Sequence, residues 1–113
     1  LNVDHRMTFE AVITATRPQP GMKHQSIICF ETFSGSEWIP STDSRQFTPN
    51  FFVTVSKENV MKKCQAMDCY KFERREYPHP RSSEALEITA KRNGISIGVE
   101  YAERFCIVRS IIV

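Results

Sequence analysis

The chain has 113 residues, enough for one small domain and not two, and its 41% apolar and 25% charged content is ordinary for a folded globular protein. A net charge of +2 without a basic stripe argues against a nucleic-acid binder. No run of about 18 apolar residues is present, so no membrane span is expected, and no signal-peptide pattern precedes the first predicted element.

The polar opening Leu1-Asn2-Val3-Asp4-His5-Arg6 runs into a helical pattern from Met7 to Thr16. Asp4 is the predicted N-cap, because a carboxylate can accept from the free amides of a first turn. That puts His5 at the first helical position. A histidine beside a carboxylate at an element end suits a metal ligand or an acid/base group, or simply a capped and solvated helix start. One His and one Asp do not complete a zinc site, which takes three or four protein ligands. Phe9, Val12, Ile13 and Thr16 share one face of the helix, and Pro18 and Pro20-Gly21 end it.

Ser26 to Thr32 reads as a strand, and its apolar run Ile27-Ile28-Cys29-Phe30 predicts burial on both faces. The long aperiodic stretch from Phe33 to Pro49 follows, of a length that usually means a functional loop. It contains Glu37 and Trp38, a carboxylate beside the single tryptophan, fit either to line a ligand site or to anchor the loop. Phe51 to Val55 is a second strand. Ser56 caps a helix to about Lys71 with Val60, Cys64 and Met67 as its buried stripe and Lys62 and Lys63 solvated. In Tyr77-Pro78-His79-Pro80-Arg81-Ser82 two prolines hold His79 in a defined place, useful for a functional ring and equally for a surface turn. Ser82 or Ser83 caps a helix from Glu84 to roughly Ile97, in which Gly94 marks close packing or the helix end. Tyr101 to Val108 is the last strand. The four cysteines, Cys29, Cys64, Cys69 and Cys106, form no Cys-x-x-Cys pair and read as small hydrophobes in a reducing, cytoplasmic compartment. The order of elements is α/β, and an apolar helix with no strand before it suggests that the chain starts inside a larger fold.

Several segments together resemble the PIG-L (LmbE-like) family of zinc-dependent N-deacetylases. They are Asn2-Val3-Asp4-His5-Arg6 with Phe9-Glu10-Ala11-Val12 and Thr14-Ala15-Thr16-Arg17-Pro18; Phe30-Glu31, Ser36-Glu37-Trp38 and Phe47-Thr48-Pro49-Asn50; Lys62-Lys63 with Ala66-Met67 and Tyr70; Tyr77 to Ser82 with Glu84-Ala85-Leu86; and Gly98 to Glu103 with Phe105. The match spans nearly the whole chain in order. It implies a Rossmann-like three-layer α/β fold with a mostly parallel sheet, of which residues 1–113 are the C-terminal part. It also implies a zinc ion whose bound water attacks the acetamide of an acetylated amino sugar or sugar conjugate. Asn2-Val3-Asp4-His5 is similar to the later, His-Pro-Asp-His-like motif, so His5 matches a zinc ligand and Asp4 the acidic position that orients it. Asn2 stands where the family often has a histidine, which leaves the cationic helper for the tetrahedral intermediate in question. His79 and Arg81 match a substrate-cleft motif, with Asn2, Glu37 and Trp38 beside the substrate and Tyr77 or Tyr101 as oxyanion candidates. Arg81 could instead pair with Glu84 or Glu103 to fix its loop. The family's His-Pro-Asp-Asp motif, carrying two more ligands and the general base, does not occur. The resemblance therefore implies a partial site, inactive alone, whose partner is a missing N-terminal half or another copy. The competing expectation is a non-catalytic ligand- or protein-binding module built on the Trp38 loop and the His79 turn.

Overall fold

The computed structural model describes residues 2–113. The order is α1 (Val3–Ala15), β1 (Gln25–Phe30), α2 (Gly35–Trp38), β2 (Phe51–Thr54), α3 (Lys57–Asp68), α4 (Ser83–Ile95) and β3 (Ala102–Ile111). The sheet has three strands in the order β1-β3-β2, and both outer strands run antiparallel to β3. The mostly parallel Rossmann-like sheet expected from the family resemblance is therefore not what this chain forms. The physical reason lies between β2 and β3. A single crossover helix returns the chain to its starting end and gives parallel strands, whereas two successive helices reverse it once more and give antiparallel ones.

Side-chain caps set the helix starts. Asn2 Oδ1 accepts from the amides of Asp4 at 2.8 Å and His5 at 3.4 Å. Asn2, not Asp4, is thus the N-cap, and the helix opens at Val3 rather than His5. The Ser56 hydroxyl accepts from the Asn59 amide and the Ser82 hydroxyl from the Ala85 amide, which fixes the starts of α3 and α4. Gly94 lets α4 approach the following turn, since a β-carbon there would lie 2.5 Å from the Val99 carbonyl oxygen. Gly98 supplies the positive φ of that turn.

The core sits where α3 and α4 meet the start of β3. Val60, Ala90 and Tyr101 form its centre, with Val55 and Met61 packed against them and Leu86, Cys64 and Ala102 also buried. Elsewhere cover is thin. Ile28 and Phe30 are exposed, the latter 68%, so β1 is not buried on both faces as its apolar run predicted. No described residue of α1 is buried. Its C-terminal end is tied to β3 through Arg109, whose Nη2 donates to the Thr16 carbonyl at 2.6 Å. The radius of gyration is 15.9 Å against roughly 13 Å for a well-packed chain of this length, and the molecule measures 48 × 31 × 31 Å.

Candidate functional site

Two neighbourhoods gather the polar and aromatic residues that the sequence singled out. The first is an open cavity of about 680 Å³ between α1, one face of β1 and β3, and the segment from Ser44 to Thr48. That volume falls in the range of small-molecule sites. Asn2, His5, Arg6, Phe9 and Glu10 border it from the helix, and Cys29, Cys106 and Val108 from the sheet. Arg45 and Phe47 close the loop side and also line a smaller adjoining recess with Thr32 and Ile39.

Electrostatics at this rim are organised by paired arginines. Asp43 Oδ1 accepts from the amide of Arg45 at 2.8 Å and from its Nε at 3.0 Å, and Asp43 Oδ2 from Nη2 at 2.6 Å. The hydrogen bonds from the Arg45 side chain, then that from its main chain, pull the Asp43 carboxyl down to about 2. Arg104 pairs with Glu31, whose side chain is only 8% exposed, and lies over the Phe47 ring. The hydrogen bond to Glu31 raises the Arg104 pKa. Arg104 thus ties the exit of β1, at Glu31, to β3.

The second neighbourhood is the contact of α2 with the proline-flanked turn. The Trp38 and His79 rings meet edge to face, with centroids 5.4 Å apart. Trp38 is 56% exposed, so it does not serve as a buried anchor. His79 Nδ1 accepts from the Arg81 amide at 3.1 Å, which orients the ring. The guanidinium of Arg81 pairs with Glu73, not with Glu84 or Glu103, and its buried Nε has no partner among the described residues. Glu37 accepts from the Ser34 amide at 2.6 Å, so part of its carboxylate capacity goes to the start of α2. Lys63, expected to be solvated, bonds both carboxylate oxygens of Glu103 at 2.7 and 2.8 Å and sits over the Phe33 ring.

The structure brings His79, Trp38 and Arg81 together, and Asn2 and His5 together, but the two sets do not line one cavity. Asp4 is exposed and is not among the cavity residues. Of the two tyrosines weighed for an oxyanion site, Tyr101 is a core residue whose hydroxyl donates to Glu87 at 3.3 Å, and Tyr77 is exposed. Cys29, Cys106, Arg45 and Phe47 are not among the site residues expected from the sequence. Their placement depends on strand register and on a loop without periodicity.

Among the described residues no group of three or more His, Cys, Asp or Glu side chains is placed to hold a metal ion. His5 is one donor, so the residues present do not by themselves fit the zinc site that the family resemblance implies. Among the described residues no helix is long and apolar enough to cross a membrane. Comparison of the chain with protein families, with characterised proteins and with solved structures returns no match.

Proposed function

We propose that this chain supplies one part of the site of a zinc-dependent N-deacetylase acting on an acetylated amino sugar or sugar conjugate. The observation that supports it best is the position of His5. Its helix turn is pinned by the Asn2 cap, and it stands at the edge of an open cavity instead of packing into the body of the molecule. In this reading His5 is a single zinc ligand, and the remaining ligands and the general base come from a polypeptide that carries the His-Pro-Asp-Asp motif. Because the residues present do not complete the metal site, no step of the reaction is assigned to this chain alone. Its own residues border the substrate: Asn2 and Arg6 at the rim, and Trp38, His79 and Arg81 as a second surface. All four cysteines are unbridged, which suits a reducing, cytoplasmic compartment.

Calorimetry tests the metal assignment. The chain alone should bind zinc weakly. Mixed with the motif-bearing part of a related deacetylase it should bind tightly, and His5→Ala should abolish the gain. A mixture no better than its parts would remove the proposal.

The Trp38–His79 contact favours a second reading, a binding surface for a sugar without metal chemistry. An exposed aromatic ring held against a histidine turn is an arrangement on which a sugar ring packs and hydrogen-bonds. Trp38 is the only tryptophan, so its fluorescence reports this surface directly. A saturable change with an N-acetylated amino sugar in zinc-free buffer, lost in Arg81→Ala, supports that reading. An unchanged signal contradicts it.

A further inference from the structure

Cys29 and Cys106 are direct partners in the antiparallel register of β1 and β3, and both border the cavity under α1. Opposed residues of an antiparallel pair project to the same side, with α-carbons about 4.5–5.5 Å apart. A disulfide accepts α-carbon separations of about 4.4–6.8 Å. Its β-carbons must come to about 3.5–4.5 Å, against about 4.5–5.5 Å for an ordinary cross-strand pair, so closure asks for a movement of order 1 Å. This strand pair can yield that much. β1 is an edge strand, its register shifts between Ile27 and Ile28 close by, and the exposed neighbours Ile28 and Phe30 show how little packs on it. The other two cysteines differ in setting. Cys64 is buried and its thiol donates to the Ser83 carbonyl, while Cys69 is exposed on α3's C-terminal end.

We propose that Cys29 and Cys106 are an oxidisable dithiol, a modification site that a low-molecular-weight disulfide converts to an intramolecular bridge. One cysteine thiolate attacks a sulfur of the small disulfide, breaking its S–S bond, forming a mixed disulfide and releasing one small thiol. The second cysteine thiolate then attacks the protein sulfur of that mixed disulfide and expels the second small thiol. The two cysteines lose two electrons, the small disulfide gains them, and the two thiol protons end on the released thiols. Burial, and then the adjacent Cys106, raise the Cys29 pKa, which slows attack by that thiol at neutral pH. The cavity gives the reagent access to both sulfurs, and the bridge staples the edge strand to the centre of the sheet.

The test uses the full chain treated with oxidised glutathione, followed by intact mass and peptide mapping after acid quench. The expected product has lost two hydrogens, retains no glutathione at the pair, and yields a peptide linking Cys29 to Cys106. Cys69→Ser removes the competing exposed thiol and should leave this product unchanged. Cys29→Ser should convert it to a single glutathione adduct on Cys106. The bridge should also raise the thermal midpoint, by at least about 5 °C, and a thiol reductant should reverse the shift. Separate adducts on both cysteines, links to Cys64 or Cys69, links only between molecules, or no reaction at either position would each overturn the proposal.

Discussion

The exposed loop before β2 shows most directly how single residues set local charge. Asp43 takes three hydrogen bonds from Arg45, and its carboxyl titrates at about 2, below roughly 3.9 for a free aspartate. A depressed folded value means that the contribution is fully present above the unfolded pKa and is lost as pH falls from about 4 through 2. Arg45→Ala should raise the Asp43 titration, followed by carboxyl NMR, yet leave it below the free value, because the main-chain amide at position 45 still donates to the carboxylate. Gly94 makes the opposite point, a position where no side chain fits. Backbone oxygens of Val99 and Glu100 lie 2.5 and 2.7 Å from where a β-carbon would stand, and neither is the end of a flexible side chain. Gly94→Ala should therefore destabilise the fold by about 1–3 kcal/mol in urea unfolding, although alanine is the better helix former by about 1 kcal/mol. The sequence allowed either close packing or a helix end at Gly94. Only the position of the Val99 carbonyl, set by the turn that Gly98 makes possible, decides between them.

Elements differ in how well they are held. The two helices at the core share their buried side chains with β3, whereas α1 has its Asn2 cap, its Arg109 tie and an apolar face left open. Native-state hydrogen exchange should find α1 the least protected of the three long helices and α4 the most. Asn2→Ala, removing a cap worth about 1 kcal/mol, should speed exchange through the first turns of α1, around His5, and leave α4 unchanged. Protection of α1 equal to that of α4 would contradict this account. The starts of α3 and α4 were legible because Ser56 and Ser82 each precede a periodic stripe. The start of α1 is ambiguous in the sequence because Asn2 and Asp4 are both good caps, and side-chain reach, not residue type, selects Asn2. The four-residue helix α2 carries too little periodicity to be read. Its importance comes from placing Trp38 against His79, a contact between segments far apart in the chain.

The molecule as a whole is more open than its length requires. Its central strand is flanked by edges, its core lies at one end, and Val3, Met7, Ile28 and Phe30 stand exposed. Light scattering on the isolated chain should show a mean mass above 13.1 kDa that rises with concentration, as uncovered apolar faces associate. A strictly monomeric chain would favour the self-sufficient binding surface. The strands and long helices are readable from periodicity, but the direction of the sheet turns on the helix pair between β2 and β3, after which β3 runs antiparallel to β2. The dithiol needed the register of β1 on β3, which no local pattern specifies. The central claim, that His5 serves an N-deacetylase assembled from this chain and a motif-bearing partner, is tested most directly by amine release. The chain would be mixed with the motif-bearing part of a related deacetylase and zinc, with an N-acetylglucosamine conjugate as substrate. The account predicts release by the mixture alone, reduced at least about 100-fold by His5→Ala. Release that is absent from the mixture, or equal with and without His5, would contradict it.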